Sequence, residues 1–237
     1  GCDLFLRGTL GFGLSSGLVA GTFFVLITLS NLADSMKALL GICVILIISA
    51  FTSKREDPVL IHRFIVQPSS KLVISGKTNV NSFQCSSLYC GKDTLVLREG
   101  GPGNRPVFEK GFVGLDASAF NCGMQLMTND FGKTIKAKEY PSIVIDFISF
   151  ERVPVYGCTE ERFKGKLKIS LGGITNSFDV DCSIEAKSNG LIHLKGGRNF
   201  VFSDFKLQAP TRMMGMVKVE ESLDVNFHLV LKLDPNS

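Results

Sequence analysis

From Leu223 to Leu233 every second residue is apolar: Leu223, Val225, Phe227, Leu229, Leu231 and Leu233. Between them stand Asp224, Asn226, His228, Val230 and Lys232. A period of two sorts residues onto the two faces of an extended strand, because successive Cβ atoms point to opposite sides. A helix would scatter the same residues around its circumference. The chain must therefore bury one whole face of a strand about eleven residues long.

The pattern recurs. Leu167, Ile169 and Leu171 alternate with Lys166, Lys168 and Ser170, and Phe178, Val180, Cys182 and Ile184 alternate with Asp179, Asp181 and Ser183. Ile143, Ile145 and Phe147 around Asp146, Leu72 with Ile74, Val113, Leu115 and Ala117 around Asp116, and Leu95 with Leu97 extend it to about eight strands. Gly91-Lys92-Asp93, the Gly100 to Asn104 cluster, Gly172-Gly173, Ser188-Asn189-Gly190 and Gly196-Gly197 read as separators, and short loops favour antiparallel neighbours. One amphipathic helix is expected, carrying Met124, Met127, Phe131, Ile135 and Lys138 between Gly123 and the Tyr140-Pro141 break. With no helical layer to cover them, the apolar faces must meet in a sandwich or inside a closed barrel. An eight-stranded interior is either filled by side chains or holds one small ligand, and the periodicity does not choose.

The front of the chain is different. Gly8 to Ala33 and Ala38 to Ser53 carry no charge. The second run has the proportions of a signal peptide, with Met36 as a start, Lys37 as its positive region and small residues at Ala50 and Thr52. Retained, the two runs would be a membrane anchor. The charged stretch Lys54 to Asp57 and Pro58 mark the boundary between an apolar extension, 1–53, and a β domain, 54–237.

Composition narrows the function. The chain is 45% hydrophobic and 20% charged, with a net charge of +4, too mild for a nucleic-acid partner. Gly13-Leu14-Ser15-Ser16-Gly17 matches a hydrolase elbow but sits in an apolar run and not at a strand-to-helix turn. His62, His193 and His228 stand apart and lack metal-site spacing. The aspartates alternate with apolar neighbours, as solvated outward groups do, so no catalytic pair, metal or cofactor is expected. Cys85, Cys90, Cys122, Cys158 and Cys182 remain in the β domain, where one or two disulfides are expected. Cys85 and Cys90 are spaced for a local bridge or for partners on neighbouring strands, and Cys182 points inward as a free thiol.

Ser69 to Cys85, with its Ser-Lys-Leu-Val-Ile-Ser-Gly-Lys-Thr core, resembles the opening of YceI-like domains. Lys138-Glu139-Tyr140-Pro141-Ser142-Ile143-Val144-Ile145-Asp146-Phe147, Gly165-Lys166-Leu167 with Gly172-Gly173-Ile174-Thr175, Phe202-Ser203-Asp204-Phe205 and Val225 to Leu229 are similar to later elements of that family, in the same order, over about residues 59 to 234. The resemblance implies an all-β fold, an antiparallel lipocalin-like barrel of about eight strands with one short helix. It also implies a non-enzymatic, periplasmic or secreted protein that holds a polyisoprenoid-type lipid for storage or transport. Asn79 and Asn81 stand in the turn where many members carry a histidine. By parity, the lining residues are Ile143, Ile145, Phe147, Leu167, Ile169, Phe178, Val180, Val225, Phe227 and Leu229. Membrane contact would come through the N-terminal segment only if it is uncleaved, and a homodimer stays open. The competing reading is a structural or stress-related envelope barrel with a filled interior and no ligand.

Overall fold

The computed structural model describes residues 59–235. The two uncharged runs, the boundary before Val59, Cys2, Cys43 and the Gly13 to Gly17 pattern lie outside the described residues. Twelve strands form one sheet: β1 (Ile61–Val66), β2 (Lys71–Thr78), β3 (Ser82–Leu88), β4 (Thr94–Arg98), β5 (Val107–Lys110), β6 (Phe112–Asp116), β7 (Ser142–Phe150), β8 (Glu161–Leu171), β9 (Ile174–Ala186), β10 (Leu191–Val201), β11 (Thr211–Arg212) and β12 (Val217–Leu233). One α-helix, α1 (Gln125–Thr134), lies between β6 and β7. None of the described helices is long and apolar enough to cross a membrane.

The alternating C-terminal segment closes the sheet. β12 pairs with β10 from Ser222 to Lys232 on one side; on the other it pairs with β2 from Val219 to His228 and with β1 from Leu231 to Leu233. The ring runs β12, β1, β4, β5, β7, β8, β9, β10 and back, an antiparallel barrel eight strands round. β1 and β2 are two halves of one bent strand. At the bend Ser70 Oγ accepts from Val230 N at 2.8 Å and Gln67 N donates to the Val230 carbonyl at 2.8 Å. That bend covers Val230, which faces outward by parity and is nevertheless only 3% exposed.

Two local expectations are corrected. Gly196-Gly197 is no turn: β10 runs straight through it. A Cβ on Gly196 would lie 2.3 Å from the Phe227 ring, and one on Gly197 2.3 Å from the Asn226 amide oxygen, so the pair makes room for cross-strand side chains and not for a reversal. The real reversals are Gly172-Gly173, both at positive φ between β8 and β9, and Ser188 to Gly190 between β9 and β10. The local Cys85 to Cys90 bridge does not form either. Ser86 and Asn121 exchange backbone hydrogen bonds of 2.9 Å, which sets Cys122 beside Cys85, and those two are joined. Cys158 is disulfide-bonded as well, Cys90 is an exposed free thiol, and Cys182 is buried and free.

Phenylalanines fill the half of the barrel remote from α1. Phe108 stands edge-on to Phe150 with ring centres 4.9 Å apart, Phe150 to Phe163 at 4.7 Å, and Phe147 to Phe227 at 5.6 Å. Edge-to-face geometry of this kind adds to the burial each ring contributes. Open space is left to the half beneath α1.

Candidate functional site

At that end an apolar cavity of about 70 Å³ lies inside the barrel. Its wall is apolar apart from Arg198 and Gly197. Seven of the ten parity-chosen residues line it: Ile143, Ile145, Leu167, Ile169, Val180, Val225 and Phe227. Phe147 and Leu229 are buried deeper, in the filled half, and Phe178 packs against Phe200 at 4.9 Å without reaching the cavity. The alternation thus reports which side chains point inward, and the depth along the strand, which it does not report, decides which of them meet open space.

Strands β2, β8, β10 and β12 add Leu72, Ile74, Leu171, Phe200, Val201 and Leu223 to the wall, and the remainder comes from outside the regular strands. Phe131 and Ile135 descend from α1, and Phe202, Phe205 and Leu207 come from the 3₁₀ turn Phe202–Phe205 and the residue pair after it. Asp204 shapes that turn by accepting from Val201 N at 3.0 Å. The Phe202-Ser203-Asp204-Phe205 motif was the one signal in the sequence that marked this turn, and it carries no periodicity that would show the rings facing inward.

Beside the apolar cavity, under α1, opens a vestibule of about 430 Å³. Phe131, Phe202 and Leu223 belong to both walls, so these side chains form the partition. Val80, Met124 and Leu126 are exposed at its rim, and Arg212, ion-paired with Asp130, crosses it. α1 is held there from its start: Cys122 N donates to Thr128 Oγ1 at 3.0 Å, and Cys122 is tied to β3.

The polar outer surface carries different chemistry. A groove of about 730 Å³ over β8 to β10 is lined by charges of both signs, with Lys164 paired to Asp181 at 3.7 Å and Lys195 to Glu160 at 3.8 Å. His193 and His228, distant in sequence, meet on the outer face at 2.8 Å from Nδ1 to Nε2. One ring donates and the other accepts, so the contact needs at least one neutral imidazole. Desolvation lowers the pKa of both, with Lys187 and Lys195 adding to it at His193, and His193 and Lys195 at His228. A histidine whose folded pKa is depressed stabilises the fold above its unfolded pKa of about 6.5, and that stability is lost as pH falls through the folded value. The urea midpoint is therefore expected to drop between pH 7.5 and pH 5.5, and less so in His228→Gln; equal drops in both proteins would exclude the pair as the source.

Among the described residues no group of three or more metal-ligating side chains converges. Cys182, the inward thiol, is pushed up to about 12 by burial, and Asp181 adds to this, so it stays protonated and behaves as a small apolar side chain.

No family model matches the chain, and no curated protein matches it. Among solved structures, a polyisoprenoid binding domain from Saccharophagus degradans implicated in plant cell wall breakdown aligns with a TM-score of 0.50 at 10% identity, over 72% of this chain and 98% of that one. BcnA of Burkholderia cenocepacia aligns at 0.46 and 15% identity, over 70% and 98% of the two chains. A YceI protein of Campylobacter jejuni aligns at 0.42 and 19% identity, over 52% and 71%. At 10% identity the first of these shows a shared barrel fold, the fold implied by the resemblance in sequence. What the barrel holds must be argued from this chain's own residues.

Proposed function

We propose that this protein is a lipid-binding barrel and not an enzyme, and that it holds a long apolar chain of polyisoprenoid type in the lumen and vestibule beneath α1. The carrying observation is that the two cavities adjoin, parted only by the apolar side chains of Phe131, Phe202 and Leu223. Each CH₂ taken from water into such a wall contributes roughly 0.8 kcal/mol, so a chain binds by burial with few polar contacts. The name of the Saccharophagus degradans domain, which shares the fold, supports the same ligand class. The uncharged runs before residue 54 and the Cys85–Cys122 disulfide support export to an oxidising compartment, the periplasm or the outside of the cell, where the cargo would be stored or carried.

The apolar cavity, about 70 Å³, is well below the roughly 300–1,000 Å³ of ordinary ligand sites, whereas the vestibule falls within that range. A long chain thus occupies the vestibule first and reaches the lumen only when the partition side chains turn aside. That small volume also favours a second reading, a structural envelope barrel filled by its own side chains.

Native mass spectra of the protein from an oxidising compartment, before and after organic extraction, separate the two. The lipid reading expects a releasable isoprenoid or acyl mass at about one per chain. A ligand-free mass unchanged by incubation with membrane extract would leave the filled barrel. Leu223→Trp, which enlarges the half-buried partition, is expected to abolish uptake while the circular dichroism spectrum stays the same.

A further inference from the structure

β9 and β10 stop pairing part-way along the barrel. Their last paired residues are Gly197 and Asp181, although β9 extends back to Ile174 and β10 on to Val201. Beyond that point a seam runs up the wall, packed by Phe178, Phe200 and Phe205, and Asn176 donates across it to the Asp204 carbonyl.

Arg198 stands at the foot of the seam. Its backbone register places it opposite Val225, which faces the lumen, and Arg198 itself lines the cavity. Its side chain nonetheless reaches solvent. The guanidinium lies over the Phe178 ring at 5.2 Å and the Phe200 ring at 5.9 Å, and it donates to the Asp179 carbonyl at 2.7 Å. Among the described residues no carboxylate lies within ion-pairing distance of it. Asp181 and Asp224, which share the outer dent beside it, are engaged by Lys164 at 3.7 Å and by the Asn199 amide at 3.0 Å. A permanently charged planar fork with unused donors, held close to the faces of two rings at the edge of an apolar lumen, is built to take oxygens in pairs.

We propose that Arg198 anchors an anionic head group, of phosphate or carboxylate chemistry, on the amphiphile whose chain lies in the lumen. This rests on the lipid-binding reading and adds to it which end of the ligand is recognised and where. The chain supplies affinity through burial; the seam selects molecules with an acidic end.

Binding of farnesyl phosphate, farnesol and inorganic phosphate to the full chain, measured by titration calorimetry, tests it. Farnesyl phosphate is expected to bind about ten- to a hundredfold tighter than farnesol, the range of a charged hydrogen-bonded contact. Arg198→Leu is expected to remove that preference, so that farnesyl phosphate and farnesol bind with equal affinity, and Arg198→Lys to keep part of it. Arg198→Gln replaces Arg198→Leu in the comparison should the latter lose its fold. An unchanged preference in these variants overturns the proposal, as does millimolar inorganic phosphate that binds alone and displaces farnesyl phosphate, since the site would then take a free anion. If neither farnesyl compound binds the wild-type protein, the lipid reading fails and this proposal with it. Farnesol binding without a phosphate preference keeps the lipid reading and overturns the anchor alone.

Discussion

Phe147→Ala is expected to destabilise the protein by about 3–5 kcal/mol, the usual cost of emptying a fully buried phenylalanine site. Phe147 is 1% exposed, and its ring centre lies 5.5 Å from that of Phe108, 6.4 Å from that of Phe150 and 5.6 Å from that of Phe227. These neighbours are themselves held by strands β5, β7 and β12, which a closed ring keeps from collapsing into the gap. The full cavity cost should therefore remain. Ile169→Ala, at a half-buried position where the lumen is already open, removes fewer contacts and should cost clearly less. Urea unfolding of both variants checks the pair. A loss below about 1 kcal/mol at Phe147 would mean that the phenylalanine plug relaxes, and that the barrel interior is not rigidly filled at that end.

The two halves of the interior explain what could be read in advance. Inward and outward faces were legible wherever a strand kept its period: residues 223 to 233, 167 to 171 and 178 to 184 face as their alternation says, Cys182 included. Closure was legible as a need to hide apolar faces, yet its device, one strand shared between the bent halves β1 and β2, was not, because a bend at Gln67 to Ser70 has no periodic signature. Glycine misled at Gly196-Gly197, since a residue without a Cβ serves a reversal and a crowded strand equally well. The site was half legible. Its strand-borne wall follows from parity, but Phe131, Phe202 and Phe205 reach the cavity from a helix and a 3₁₀ turn, where facing depends on how the segment docks. Arg198 is the sharpest case. A charged residue between Gly197 and Asn199 reads as surface, and only the loss of β9 pairing beyond Gly197 lets an inward position open to solvent. The meeting of His193 with His228 likewise needs the β10–β12 register, which places Lys195 and not His193 directly opposite His228.

Removing the Cys85–Cys122 bridge should cost nearly as much stability as emptying the plug. The bridged residues are 37 apart in sequence, and closing a loop of that length restricts the unfolded chain by about 4 kcal/mol, with roughly 2–5 kcal/mol as the usual measured range. The loss should not be spread evenly. Between the two cysteines run β4, β5 and β6, which retain their ladders to β1 and β7 when the bond is gone. What loses its tether is the segment that follows Cys122, where α1 begins at Gln125 with no side-chain cap of its own and no fully buried residue. Its remaining ties include the Cys122 N to Thr128 Oγ1 hydrogen bond, Phe131 against Phe120 with ring centres 5.1 Å apart, and the Arg212 to Asp130 pair. The double variant Cys85→Ser with Cys122→Ser isolates this bond, whereas a reductant would also act on Cys158. In that variant the urea midpoint should fall, and amide hydrogen exchange should accelerate across α1 well before it does in β8 and β9. Because α1 roofs the vestibule, lipid uptake should become faster and retention shorter in the same variant. Exchange that rises uniformly over the barrel would instead place the bridge in the general stability of the fold and detach it from the roof.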